Sequence, residues 1–247
     1  MASRAIVAGA AGGIGAAIVR GFLERGLEVY GLDTSDDVLR MPGVDGRLAD
    51  VLKIAEIGAA LAAAPACEFA HHVVGVVGRM LPEEHAGILQ RPILESSKIF
   101  ADSVALNLEA QFNLIRAVLP LLRAAEGNRS ITFISSVNGL APFGGIAYSA
   151  AKAGLAGLMF GLLATDECAG VRINVVAPGT VDTPLTRLEA SEAGDARRFE
   201  RAASQTIVGR VGYPEDIARV VVALATDFTH VTGETIRVDG GQTIARH

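Results

Sequence analysis

The sequence predicts an α/β fold, a doubly wound parallel sheet with helices on both faces. Three observations predict it. Short β-branched or apolar runs alternate with longer stretches of helical period along the 247 residues. Hydrophobic residues make up 50% of the chain, enough to bury a substantial core. A glycine-rich turn joins the first apolar run to the first helical stretch. Strands separated by helices pair in parallel through right-handed crossovers, and a parallel sheet is covered on both faces.

In order, the expected strands are "RAIVAG" (4–9), "EVYGLD" (28–33), "GRLAD" (46–50), "FAHHVVGVVG" (69–78), "SITFISS" (130–136), "RINVVAP" (172–178) and "ETIRVDG" (234–240). Helical stretches lie near 13–25, 53–64, 99–125, 146–169 and 214–226. No repeat, low-complexity tract or long linker interrupts them, so residues 1–247 read as a single domain. Two segments escape the alternation. Residues 79–98 carry two prolines and mixed charges. Residues 183–209 open with Thr183-Pro184, a helix cap followed by proline at the first helical position. That segment follows a strand's C-terminal end, where it suits a mobile cover over a site.

Composition excludes several classes. A net charge of -5 with scattered arginines leaves no basic stripe for nucleic acid. The longest apolar stretch, "AGLAGLMFGLLA", suits a buried core helix, not a membrane span. Glycines interrupt the N-terminal apolar run, unlike a signal peptide. Cys67 and Cys168 could pair only with each other and read as buried or idle thiols. The expectation is a soluble cytoplasmic protein without a membrane partner. His71 and His72 sit in the fourth strand with no further ligands at metal spacing, so no metal site is expected. His85 reads as a surface residue of the irregular segment.

The glycine turn, "AIVAGAAGGIGAAIVRGFLERG", has the pattern G-x-x-x-G-x-G at Gly9, Gly13 and Gly15. Such glycines permit a tight turn and let backbone amides approach a pyrophosphate at the positive end of a helix. The second strand ends at Asp33, where an acid accepts hydrogen bonds from adenosine ribose hydroxyls. A carboxylate there repels a 2′-phosphate, and neither Ala10 nor Ala11 is basic. The pattern favours NAD over NADP.

"AYSAAKAG" places Tyr148 and Lys152 four residues apart in a chain with only three tyrosines and three lysines. On a helix they share one face. A free tyrosine has a pKa of about 10, and bringing it to about 7 takes about 4 kcal/mol. An ammonium about 5 Å away supplies about 3 kcal/mol at an effective dielectric near 20. The expectation is a tyrosine general acid/base whose pKa is lowered by Lys152, with a cationic oxidised nicotinamide ring providing the rest.

Together these motifs resemble the short-chain dehydrogenase/reductase family in its compact single-domain, Rossmann-like branch. "AGAAGGIG" (8–15) is similar to that family's T-G-x-x-x-G-x-G, with Ala8 in place of threonine. "LADV" (48–51) resembles its adenine-contacting segment, and "ALNLEAQF" (105–112) its asparagine helix. "FISSVNG" carries its serine at Ser136, with Ser135 as the alternative, and "YSAAK" its tyrosine and lysine. "NVVAPGTVDTP" (174–184) and "GETIRVDGG" (233–241) resemble the loop along the nicotinamide and the closing strand.

The resemblance implies a catalytic set of Ser136, Tyr148, Lys152 and Asn107, the last anchoring a water in a proton relay. It implies cofactor contacts from Gly9, Gly13, Ile14, Gly15, Asp33, Asp50, Val51, Gly78, Tyr148, Lys152, Pro178, Gly179, Val181 and Thr183. The implied reaction passes hydride between NAD and a small or medium alcohol or ketone. The implied assembly is a homodimer or homotetramer built on the helix after Tyr148 and the one near 99–125. In that helix Gly154, Gly157 and Gly161 let another backbone come close.

One departure stands out. Where the family carries Asn-Asn-Ala-Gly, this chain reads "GVVG", Gly75 to Gly78. The lost amides favour a rival reading as a non-catalytic dinucleotide-binding sensor or scaffold, against which stands the intact serine, tyrosine and lysine. A sugar-nucleotide epimerase or dehydratase can share the Tyr-x-x-x-Lys spacing, but little chain remains after residue 184 for a nucleotide-sugar domain.

Overall fold

The computed structural model describes residues 3–62, 70–85 and 97–245. Its seven strands are β1 (Arg4–Ala8), β2 (Glu28–Asp33), β3 (Val44–Leu48), β4 (His72–Gly75), β5 (Arg129–Ile134), β6 (Val171–Pro178) and β7 (Thr235–Val238). All pair in parallel in the order β3-β2-β1-β4-β5-β6-β7. The order runs outward in both directions from β1 and β4, which makes the C-terminal ends of these two strands the switch point where an open α/β sheet binds ligands.

β1 shows why the strands read as unbroken apolar runs. Ile6 and Ala8 enter the core on one face of the sheet, and Ala5 and Val7 the core on the other. All four are fully buried, as a central parallel strand requires. The first core packs Ile6, Leu32, Ile131 and Phe133 against helices α2 (Ile54–Ala62), α5 (Ala110–Ala124) and α6 (Ile146–Leu163). The second packs Val7, Val74 and Val176 against Ile18 and Phe22 of α1 (Gly13–Glu24) and Ile217 and Val221 of α9 (Pro214–Thr226). Each fully buried large side chain contributes about 1.5–3 kcal/mol over its exposed state. The apolar stretch 153–164 lies mostly in α6, which buries Leu155 and Met159 in the core.

Several boundaries differ from expectation for identifiable reasons. β4 ends at Gly75, not 78: Val76 N still bonds the Ala8 carbonyl, and Gly78 then adopts φ +89°, outside extended backbone. The expected helix over 99–125 is interrupted: α4 (Ser97–Val104) passes through a π-helical turn, Ala105–Glu109, before α5 begins. α6 stops at Leu163, where the Thr165 hydroxyl bonds the Leu162 carbonyl, and a 3₁₀ turn (Asp166–Cys168) follows. β3 begins two residues earlier than expected. Within 79–98, α3 (Pro82–His85) and the start of α4 are described. The side chain of His85 and all of 86–96 lie outside the described residues, as does Cys67.

His72 is buried, with Nδ1 3.0 Å from Ser130 Oγ and its ring stacked on Phe22. His71 Nδ1 accepts the backbone N–H of Arg4. Cys168 is a buried free thiol whose pKa burial pushes up.

Residues 183–209 form α7 (Pro184–Glu192) and α8 (Arg198–Ser204). Thr183 caps α7 in a reciprocal capping box with Thr186, and Pro184 opens the helix as expected. Backbone bonds from Ile207 and Val208 to the Gly240 carbonyl tie the far end of the segment to the loop after β7.

Candidate active site

At the C-terminal end of β1 the chain turns through Gly9, whose φ of +76° suits glycine alone. A Cβ at Gly9 would lie 2.0 Å from the Val76 carbonyl oxygen, and one at Gly15 would lie 1.9 Å from the Gly9 oxygen. These two glycines hold the turn tight against β4 and α1. No side chain caps α1, and its first turn holds no acid. Its N-terminal amides and positive dipole end therefore face no competing anion of their own helix, and the cradle fits a dinucleotide pyrophosphate.

Asp33 ends β2 and accepts bonds from Ala11 N and Ser35 N, one on each oxygen, at 2.9 Å. Each oxygen retains acceptor capacity for a ribose hydroxyl. Asp50, after β3, accepts from Leu52 N, and Val51 packs against the core beside it. Gly13 lies under the cap of α7, where a Cβ would sit 2.9 Å from Thr183 Cβ. The Thr183 hydroxyl is already engaged by Thr186, and Val181 is pinned by a parallel bridge to Gly212.

A cavity of about 530 Å³ opens over the ends of β4, β5 and β6. Of the expected residues, Ile14, Gly78, Ser136, Tyr148, Lys152, Pro178, Gly179, Val181 and Thr183 line it. Gly9, the first turn of α1 with Gly13 and Gly15, Asp33 at the end of β2, and Asp50 and Val51 after β3 lie on its β1–β3 side, and Asn107 lies behind its wall. The two serines separate clearly. Ser135 is buried and its hydroxyl bonds the Lys152 carbonyl at 2.8 Å, fastening β5 to α6. Ser136 lines the cavity with Tyr148, donates to Asn138 Oδ1 at 3.1 Å and caps a short 3₁₀ turn by accepting from Asn138 N. Both serines line the cavity, and with the Ser135 hydroxyl committed to α6, Ser136 is the candidate for the reacting position.

Lys152 Nζ is buried 5.6 Å from the Tyr148 ring centroid and donates to the Val77 carbonyl at 2.9 Å and the Ile134 carbonyl at 3.1 Å. Its charge holds the ends of β4 and β5 together. The expected electrostatics need correction here. Burial pushes the Tyr148 phenol up to about 12; the Ser136 hydroxyl opposes this, while Glu189 and Glu84 add to it. Burial likewise pulls the Lys152 ammonium down to about 7. Simple Coulomb arithmetic between the pair omitted the cost of taking both groups out of water. The chain alone does not poise the phenol at neutrality.

The "GVVG" departure has a structural answer. Gln111, fully buried on α5, fills the space beside Gly75 and donates from Nε2 to the Gly75 carbonyl at 2.9 Å. A Cβ at Gly75 would lie 1.7 Å from Gln111 Oε1. The bridge to the end of β4 comes from a helix side chain instead of a strand amide. Asn107, in the π-helical turn, donates from Nδ2 to the carbonyls of Arg79 and Ser103 at 2.9 Å, and its Oδ1 packs against Gly78.

Three pocket residues escaped the sequence. Glu84 is buried, lines the cavity and bonds Tyr148 N at 2.8 Å. Glu189, on α7, faces the phenol and pairs with Arg198. Gln242 is buried and accepts Thr180 N, shaping the loop after β6. No local motif marks any of them. The one available signal for Glu189 was its place in the expected cover.

Comparison with known proteins follows this geometry. A family model described as "Enoyl-(Acyl carrier protein) reductase" matches residues 9–243. The chain is 34% identical over 250 residues to the 3-oxoacyl-[acyl-carrier-protein] reductase FabG of Pseudomonas aeruginosa, covering 96% of each. It is 34% identical over 239 residues to an uncharacterized oxidoreductase of Schizosaccharomyces pombe, covering 96% of this chain and 89% of that one. Among solved structures, a short-chain dehydrogenase/reductase family oxidoreductase from Burkholderia thailandensis superposes with a TM-score of 0.85 at 31% identity, covering 100% and 94% of the two chains. The ligand-free aldohexose dehydrogenase of Thermoplasma acidophilum gives 0.86 at 25% identity, covering 99% and 95%.

Proposed function

This chain belongs to the short-chain dehydrogenase/reductase family, and on that premise we propose an NAD-dependent oxidoreductase acting on a small or medium alcohol or ketone. One observation carries the reading: Ser136, Tyr148 and Lys152 meet in a single cavity, with Lys152 Nζ 5.6 Å from the tyrosine ring centroid. A nicotinamide dinucleotide, when bound, supplies the hydride chemistry.

The protein's own residues do the rest. The Ser136 hydroxyl orients the substrate oxygen, and Tyr148 gives or takes the proton at that oxygen. Lys152, held by two carbonyls, has one further donor for a ribose hydroxyl. Asn107 supports the wall behind the lysine and anchors the proton path to solvent. The glycine turn and the uncapped end of α1 hold the pyrophosphate. Asp33 receives the adenosine ribose and disfavours a 2′-phosphate, which supports NAD.

Met80, Val137, Phe143 and Leu185 give the mouth apolar surface that suits a compact carbon skeleton beside the reacting carbon. Relatives named as a 3-oxoacyl-[acyl-carrier-protein] reductase and an aldohexose dehydrogenase support carbonyl and hydroxyl chemistry while differing in substrate. α7 and α8 contribute Leu185, Glu189 and Ala202 to the cavity, which supports a covering role for 183–209. Gly157 and Gly161 of α6 face open space, with Phe160 60% exposed beside them. That face supports a homodimer or homotetramer, testable by analytical ultracentrifugation.

The test is a thermal scan with NADH, with NADPH and with neither, followed by an alcohol screen. NADH at about 100 times its dissociation constant adds about 2.7 kcal/mol, a rise of roughly 5–10 °C. Tyr148→Phe should keep that rise and lose turnover. A rise with NADPH alone overturns the cofactor assignment, and near-normal turnover in Tyr148→Phe overturns the mechanism.

A further inference from the structure

The N-terminus of α6 carries the catalytic tyrosine yet has no cap of its own. Its N-cap residue, Gly145, adopts φ +73° and offers no side chain. The cap comes from 64 positions away. Glu84, on α3, accepts Tyr148 N on Oε1 at 2.8 Å. Its other oxygen accepts Leu81 N at 3.2 Å and the Ser103 hydroxyl of α4 at 2.9 Å. Asn107 Nδ2 in turn bonds the Ser103 carbonyl. One buried carboxylate therefore ties α3, α4 and α6 together at the reacting residue.

All three of its partners are donors, which matches the acceptor-only carboxylate form. All three are also neutral, so none of these bonds brings a cation to it. The phenol is faced by Ser136 from the end of β5, by Lys152 on its own helix and by Glu189 of α7. Arg79, Arg198 and Arg201 also line the cavity; Arg198 pairs with Glu189 and Arg201 with Asp195. Glu84 accepts the backbone N–H of Tyr148 itself.

We propose that Glu84 is the positioning residue of this site: it fixes the backbone of Tyr148 at the start of α6 and brings a carboxylate to the turn that carries the phenol. Part of the proton affinity of the tyrosine, added to the effects of burial and Glu189, thus comes from a segment outside the motif that supplies it. The charge raises the proton affinity of the phenol, in the direction found for Tyr148. The proposal rests on the oxidoreductase reading for its kinetic arm and not for its exchange arm.

The experiment compares Glu84→Gln, Glu84→Ala, Ser103→Ala and the exposed-neighbour control Glu83→Gln with wild type. In ligand-free protein, amide hydrogen exchange at Tyr148 should quicken at least tenfold in Glu84→Ala and little in Glu84→Gln, which keeps an oxygen for the amide. With NAD and an alcohol, Glu84→Ala should lose about 10- to 100-fold in kcat through misplacement. Glu84→Gln should keep most of kcat while the rising limb of its pH profile moves to lower pH. Ser103→Ala loses a bond without changing charge and should leave that limb in place, as should Glu83→Gln. An unmoved limb in Glu84→Gln, or wild-type exchange in Glu84→Ala, overturns the proposal. If Glu84→Ala fails to fold, the limb in Glu84→Gln against Ser103→Ala decides. If wild type turns over no alcohol or ketone, the oxidoreductase reading fails and the exchange comparison alone judges Glu84.

Discussion

Gly75→Ala puts the replacement for the family's strand amides to a direct test. The new Cβ would stand 1.7 Å from Oε1 and 2.7 Å from Cδ of Gln111. Both residues are buried, so the glutamine must swing off its rotamer and release the 2.9 Å bond to the Gly75 carbonyl. The lost bond costs about 1 kcal/mol net, and overpacking adds about 1–3 kcal/mol. The expected destabilisation is about 2–4 kcal/mol in cofactor-free urea unfolding. Gln111→Ala alone loses the same bond and opens a cavity, at about 2–3 kcal/mol. In the double variant the alanine methyl occupies part of the space the glutamine leaves. The two costs should then fall short of additivity by at least about 1 kcal/mol. Strict additivity, or a Gly75→Ala variant within about 0.5 kcal/mol of wild type, would refute the coupling.

Three further outcomes follow from the electrostatics and packing. Burial lowers the Lys152 ammonium from 10.5 to about 7, so the unfolded chain holds the extra proton between those values. Ligand-free stability should therefore rise with pH across that window, by at most about 4–5 kcal/mol, less what the two carbonyl bonds return. Lys152→Met should flatten the slope in pH-dependent urea titrations while abolishing turnover; an unchanged slope would count against the buried ammonium. His72, lowered from 6.5 to about 4 by burial, protonates first in the unfolded chain as pH falls. Stability should drop by about 3 kcal/mol between those values, and His72→Gln should remove that component of the acid transition. Arg172 donates to the carbonyls of Leu224, Ala225, Phe228 and Val231 and to Asn128 Oδ1, closing the C-terminus of α9 over β6. Arg172→Lys should lose about 2–4 kcal/mol in the same assay, because an ammonium has three donors and no fork; full retention would show the network to be dispensable.

Much of the site was legible because its signals are local. Gly9, Gly13 and Gly15 stand within seven residues, and their backbone demands are met by glycine wherever a strand turns into a helix. Tyr148 and Lys152 share a face by helical period alone. Thr183-Pro184 marked the start of α7 by the same local chemistry. The π-helical turn at Asn107 was not legible, since "ALNLEAQF" is helical by any period and only its neighbours decide how it is wound.

Glu84 and Gln111 were illegible for a different reason. One of two adjacent glutamates inside an irregular segment and a glutamine inside an amphipathic helix look like solvated side chains. Each is instead buried, and each meets its partner across 64 and 36 positions. The sign of the tyrosine shift failed likewise: spacing predicts which charges are near, while burial and the approach of Glu84 and Glu189 decide what they do.

From the amino-acid order alone came the alternation that builds the sheet, the glycine turn, the acid at the end of β2 and the Tyr-x-x-x-Lys face. All are properties of residues close together in the chain, governed by backbone sterics and helical period. Tertiary structure alone decided which serine meets the phenol, what replaced the strand amides, and the electrostatic environment of Tyr148. Those depend on contacts between distant segments and on exclusion of water, and neither is written in any one stretch of residues.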